Sequence, residues 1–172
     1  LLEKYLGGMH QENIYNIDNV LNISGEANRR AYIKKRGTLQ SAVRIGSSTI
    51  NKRHPDYPGL KVLNTVLGGY FGSRLMKNIR EEKGYTYGIH SVVSSLILSG
   101  YKVISAEVSK KNTQKAINEI YKEIRILQTE PVGSEELEVV RNYMYGEIVR
   151  MFDGPFAMAE SFRAIWEFDL DI

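Results

Sequence analysis

The chain has 172 residues, of which 42% are hydrophobic, and this is enough to bury one sizeable core in a single domain. It contains no cysteine, which excludes a disulfide framework, an iron–sulfur site and thiol chemistry. The 23 basic and 20 acidic side chains are interleaved, so the net charge of +3 permits a nucleic-acid partner without demanding one. No stretch is apolar enough to cross a bilayer and no signal sequence opens the chain; the compartment stays open, with a soluble, cytoplasmic location favoured.

Regular structure is predicted to begin after a mixed lead-in. Residues 1–36 combine a short apolar start with a polar, asparagine-containing stretch and are interpreted as a linker, whereas residues 37–172 form the predicted domain. In the stretch GTLQSAVRIG, side chains such as Val43 and Ile45 point one way and alternate with a more polar set. This period of two predicts a half-covered strand.

Two helices joined by a glycine-containing connection are predicted next. Apolar residues at helical spacing run through KVLNTVL, and Gly68-Gly69 is expected to end that helix because glycine adopts the left-handed conformation without a Cβ clash. Ser73 can cap a second helix, which stops at Gly84. Two β-rich stretches, YTYGIHSVVSS and YKVISAEVS, then follow.

The last third of the chain is predicted to be helical. Apolar residues recur at three- and four-residue steps after Asn112 and again after Ser134, and Gly154-Pro155 separates a final apolar helix. The order of a strand, two helices, two strands and further helices predicts an α+β fold. We expect a mixed, mainly antiparallel sheet with helices packed on one face.

The residues supply no recognisable metal or nucleophile motif. The three histidines, His10, His54 and His90, do not stand one helical turn apart beside a carboxylate, so this chain alone is predicted to hold neither zinc nor another cofactor. No G-x-S-x-G nucleophile elbow is present. The stretch LGGYFGS lacks the Lys-Ser/Thr of a phosphate loop and is better explained as a tight connection between helices.

One candidate site lies in KGYTYGIH, which partly matches an RNA-stacking strand. Lys83, Gly84, Tyr85 and Tyr87 fit the pattern of alternate rings projecting from one sheet face. His90 replaces the last aromatic residue, and no aromatic hexamer precedes the stretch as a partner strand. An RNA-binding domain is therefore the more distant alternative.

A second interpretation of the same stretch pairs Arg80 with Tyr87, seven positions apart across Gly84. A helix–glycine–strand corner can bring a guanidinium and a phenol towards one point, and their directional donors suit a peptide carbonyl that is gaining negative charge. The alternative is structural, because an arginine in a final helical turn can bond the free carbonyls and a tyrosine on a sheet can simply pack. The pair alone leaves both possibilities open.

The wider stretch LGGYFGSRLMKNIREEKGYTYGIHS resembles the second, non-zinc half of the pitrilysin/insulinase family of zinc metallopeptidases, which includes processing peptidases. The family pattern is L-G-G-x-x-x-S-R-L-x-x-x-I/L-R-E-x-x-G-L-x-Y. The residues in register are Leu67-Gly68-Gly69, Ser73-Arg74-Leu75, Ile79-Arg80-Glu81, Gly84 and Tyr87. Tyr85 stands where leucine is usual, at an expected packing position. The resemblance extends from about Gln40 into the last predicted helix.

The resemblance implies a role as well as a fold. In the family, one half binds zinc through H-x-x-E-H and the other contributes an arginine and a tyrosine at the spacing of Arg80 and Tyr87, which hold the substrate backbone. By this analogy the chain is the substrate-positioning half of a zinc endopeptidase, inactive alone, with peptide as substrate. The zinc would be supplied by a complementary half of the same polypeptide or by a partner subunit.

The resemblance also implies that the chain is a piece of a longer protein. Residues 1–36 would be the lead-in from a preceding half, and residues 37–172 a clamp domain truncated at its C-terminus. A homodimer or heterodimer is compatible with this reading, whereas nucleic-acid and membrane partners are not expected. The main alternative is a non-catalytic assembly or scaffold subunit of the same family.

Overall fold

The protein is described by a computed structural model for residues 30–170. Most of the predicted linker, residues 1–36, lies outside this range, as do residues 171 and 172. Within residues 30–170, none of the helices combines the length and the apolar composition that a bilayer span demands.

A three-stranded sheet forms the centre of the fold. Its strands are β1 (Gln40–Thr49), β2 (Thr86–Ser95) and β3 (Gly100–Ser109). They are ordered β1-β3-β2, and both neighbouring pairs are antiparallel. The predicted first strand and the two β-rich stretches are thereby confirmed, and β2, which contains Tyr87, lies at an edge of this sheet.

Helices make up most of the remaining described structure. A short 3₁₀ turn, Lys110–Asn112, leads directly into the helix that begins at Thr113. Two of the helical segments are π-helices, in which the turns are wider than in an α-helix. The helical elements are α1 (Tyr57–Asn64), π1 (Thr65–Gly69), π2 (Met76–Glu82), α2 (Thr113–Thr129), α3 (Ser134–Arg150) and α4 (Pro155–Phe168).

The hydrophobic core lies between the sheet, π2 and α2. Ile79 of π2, Ile89 of β2, Val108 of β3 and Ile120 of α2 are almost completely buried in one cluster. Burial of such side chains stabilises each by roughly 1.5–3 kcal/mol relative to exposure. The chain therefore has the predicted α+β architecture, and π2 is fixed by its own buried face.

Two local predictions about the connection between the first helices are wrong in mechanism. Gly68 ends the first helix at φ −163°, which is extended and not left-handed. A Cβ at Gly68 would lie 2.8 Å from the Cβ of Ser91, so glycine is needed for the close approach of π1 to β2. Ser73 does not cap π2; its hydroxyl is buried and has no hydrogen-bond partner within the described residues.

Candidate functional site

Arg80 stands where a helix turns into a strand. It lies in the last turn of π2, whose wide geometry appears in the bond that the Lys83 N–H donates to the Asn78 carbonyl at 3.1 Å. Gly84 follows with φ +61°, a conformation that favours glycine, and β2 begins at Thr86. The predicted helix–glycine–strand corner is confirmed.

The Arg80 side chain is half-buried and contacts an aromatic ring. Its Cζ atom lies 4.6 Å from the centre of the Phe71 ring, within the range of a cation–π interaction. Among residues 30–170, Arg80 takes part in no ion pair, and its guanidinium donates no hydrogen bond. Within this range its N–H donors are therefore unused.

Tyr87 lies in an irregular part of β2. The register between β2 and β3 shifts between Thr86 and Ile89, so Tyr87 and Gly88 together occupy a bulge. Thr86 anchors this bulge, because its buried hydroxyl donates to the Glu107 carbonyl at 2.6 Å and accepts from the Gly88 N–H at 3.1 Å. The Tyr87 side chain is 90% exposed.

A shallow depression of about 290 Å³ lies on the surface near the corner, with Phe71 and Gly88 among its lining residues. Phe71, which contacts Arg80, and Gly88, which follows Tyr87, both line it. Neither Arg80 nor Tyr87 is among the lining residues, although each is next to one of them, and among the described residues no hydrogen bond joins the two side chains. The full lining is Gly68, Gly69, Tyr70, Phe71, Met76, Gly88, Ile89 and His90.

The connection between π1 and π2 is anchored on α3. The Tyr70 ring packs against Tyr143 with centroids 5.0 Å apart. Burial, followed by the nearby carboxylate of Glu136, raises the pKa of Tyr70 above its usual value. Glu136 also accepts two hydrogen bonds from Arg74, at 2.8 and 2.6 Å. These contacts hold both sides of the turn that presents Phe71.

A second set of contacts holds the end of α1 against β2. The Asn64 side chain donates to the Ser91 carbonyl at 3.0 Å and accepts from the Ser91 hydroxyl at 2.7 Å, and both residues are buried. Buried polar groups satisfied in this way fix a single arrangement. The sequence pattern does not reveal this pair, because its members are 27 residues apart. It does not reveal Phe71 either, because the contact of Phe71 with Arg80 depends on the shape of the intervening turn.

The described residues do not fit a zinc site. Within residues 30–170, no three His, Asp or Glu side chains lie close enough together to hold a metal ion. His90 is exposed at the edge of the depression, and His54 lies in the loop before α1. His10 is outside the described range.

The two tyrosines of the RNA-stacking interpretation lie in different environments. Tyr85 precedes β2 and packs against the hydrophobic core, as expected for a packing position. Tyr87 is exposed in the bulge. They do not form the pair of exposed rings on one sheet face that base stacking requires.

Comparison with known proteins identifies the family to which this fold and corner belong. The model of the peptidase M16 inactive domain matches residues 1–144. The chain therefore belongs to the peptidase M16 family, as an inactive domain of that family of zinc proteases.

Two curated relatives come from Bacillus subtilis strain 168. The chain is 31% identical over 116 residues to the uncharacterized zinc protease YmxG. The aligned region covers 67% of this chain and 28% of the relative. It is 22% identical over 129 residues to the probable inactive metalloprotease YmfF, covering 74% of this chain and 30% of the relative. The chain thus spans less than a third of either protein.

Solved structures share the fold. A peptidase M16 inactive domain from Pseudomonas fluorescens superposes with a TM-score of 0.70 at 22% identity, covering 77% of this chain and 32% of that one. A protease from Helicobacter pylori has a TM-score of 0.70 at 18% identity, with coverage of 78% and 33%.

Proposed function

We propose that this chain positions peptide substrate for a zinc endopeptidase whose zinc is held by a complementary half, in the same polypeptide or in a partner subunit. Arg80 and Tyr87 would hold the peptide backbone. The observation that carries the proposal is the state of Arg80, a half-buried cation with no acidic partner in the described structure, in contact with Phe71, which lines a depression open to solvent.

The chemistry of the two side chains suits this role. A guanidinium offers several fixed N–H donors and a phenol one directional O–H. Donors aimed at a peptide carbonyl stabilise it most when its oxygen gains negative charge during attack on the carbon. Because Arg80 and Tyr87 are held on π2 and on an anchored bulge, their backbones need little rearrangement when substrate arrives.

The proposal is tested by measuring kcat/KM of the full-length protein or complex on an unfolded peptide. We expect Arg80→Ala and Tyr87→Phe each to lower kcat/KM on the order of 30- to 1,000-fold. This corresponds to a loss of about 2–4 kcal/mol of transition-state stabilisation. Arg141→Ala and Tyr101→Phe are matched controls, since both residues are exposed and lie outside the lining of the depression. These controls should retain wild-type activity.

Two results would contradict the proposal. Full activity in folded Arg80→Ala and Tyr87→Phe proteins would remove both residues from the reaction and favour the scaffold alternative. Equal losses in the candidate and control variants would show that the effect comes from general surface changes and not from the Arg80–Tyr87 corner.

A further inference from the structure

The Phe71 ring lies against the guanidinium of Arg80. The ring is 64% exposed, although an aromatic side chain of this size usually gains by burial. The guanidinium carbon of Arg80 lies 4.6 Å from the ring centre. Within residues 30–170 this cation has no acidic partner, so its contact with an exposed phenylalanine requires a reason beyond core packing.

The kind of contact matters for Arg80. A carboxylate would accept two of the guanidinium N–H bonds and neutralise its charge. An aromatic face attracts the cation through its quadrupole and leaves the charge in place. It also leaves the in-plane N–H donors unused, so a ring can restrain an arginine that must still bind something else.

The backbone around Phe71 is held by contacts on both sides of the residue. The Ser73 N–H donates to the Tyr70 carbonyl at 3.2 Å and closes a turn around Phe71 and Gly72. On one side of the turn, Tyr70 packs on Tyr143; on the other, Ser73 is almost completely buried. The turn is therefore restrained at both ends, and Phe71 is the exposed side chain at its tip.

We propose that Phe71 is a positioning residue for Arg80: its ring restrains the guanidinium beside the depression and leaves the charge and the N–H donors for the substrate backbone. This inference rests on the proposed function of Arg80. It adds a residue that acts through another residue and not through contact with the reacting atoms.

The test is a double-mutant cycle in the full-length protein, read as kcat/KM on a peptide. Phe71→Leu keeps apolar bulk but removes the aromatic face, and we expect a loss of about two- to fivefold, the range of an exposed cation–π contact. Phe71→Trp keeps the face and should retain activity. In an Arg80→Ala background, Phe71→Leu should cause no further loss. Phe156→Leu, at another exposed phenylalanine, is the matched control and should have no effect.

The outcomes separate this inference from the proposal beneath it. Unchanged activity of Phe71→Leu would overturn the positioning role, as would an equal loss from Phe71→Leu in the wild-type and Arg80→Ala backgrounds, which would indicate a direct contact with substrate. Failure of Phe71→Trp to retain activity would also overturn it. If Arg80→Ala itself keeps full activity, the proposed function fails, whatever Phe71 does.

Discussion

Arg74 and Arg80 lie six residues apart in the same helical region, and their surroundings differ in kind. Arg74 donates to both carboxylate oxygens of Glu136, and this hydrogen-bonded pair raises the pKa of its guanidinium above the usual value. Among the described residues, the Arg80 guanidinium forms no ion pair or hydrogen bond and lies over the face of Phe71. The first cation joins the residues before π2 to α3, whereas the donors of the second are unused among residues 30–170. Arg74 is therefore the structural arginine of the two, and the role of Arg80 is the subject of the proposal above.

The largest effect on stability is expected at Arg74. Arg74→Ala should lower the free energy of unfolding by about 1–2 kcal/mol, because the Arg74 and Glu136 side chains are only 18% and 32% exposed and the loss falls between those of exposed and buried pairs. Because the pKa of Arg74 is raised in the folded protein, the ion pair contributes its full stability at pH values below the ordinary arginine pKa. The contribution is lost only as the pH rises above that value. Urea unfolding of the protein measures it, with Arg80→Ala as the comparison, which should be nearly neutral. Equal destabilisation by both variants would break the distinction.

The next effect should come from giving Arg80 a partner like that of Arg74. Phe71→Glu places a carboxylate near the guanidinium, where it competes with substrate for the N–H donors. We expect kcat/KM to fall by roughly tenfold, with Phe71→Gln as the uncharged control showing the smaller loss. Raising the salt concentration should restore part of the activity of Phe71→Glu only. A Phe71→Glu protein as active as Phe71→Gln would indicate that Arg80 tolerates neutralisation.

The smallest effect is expected at a third arginine, on the sheet surface. Arg44 pairs with Glu107 across β1 and β3 at 2.8 Å, but the side chains are 53% and 52% exposed. Arg44→Ala should therefore change stability by only about 0.2–1 kcal/mol, and less at high salt. The unfolding midpoints of Arg44→Ala and Arg74→Ala, each measured at two salt concentrations, test this prediction. A larger loss of stability in Arg44→Ala than in Arg74→Ala would contradict it.

The helices and strands were more predictable from the sequence than the contacts between distant segments. The alternation around Val43 and the glycine at position 84 gave the first strand and the corner at Arg80, because both are local properties of the backbone. The roles assigned to Gly68 and Ser73 were wrong, since a close approach to Ser91 and a buried hydroxyl depend on packing with distant segments. Short apolar stripes also do not distinguish an α-helix from the wider π-helix.

The candidate site was predictable only in part. The spacing of Arg80 and Tyr87 left a structural explanation open, and the extended motif resolved the family, which is confirmed. The roles of these two residues stay predictions. Phe71 could not have been foreseen, because its contact with Arg80 crosses a turn whose shape depends on Tyr70 meeting Tyr143 on a remote helix.

Gly68 also determines how this surface can be redesigned. Added atoms at this position would meet the Ser91 backbone nitrogen at 2.9 Å and its Cβ at 2.8 Å, so even a methyl group would wedge π1 away from β2. Substitutions that probe the lining of the depression should therefore leave Gly68 in place and begin with His90, whose side chain is exposed.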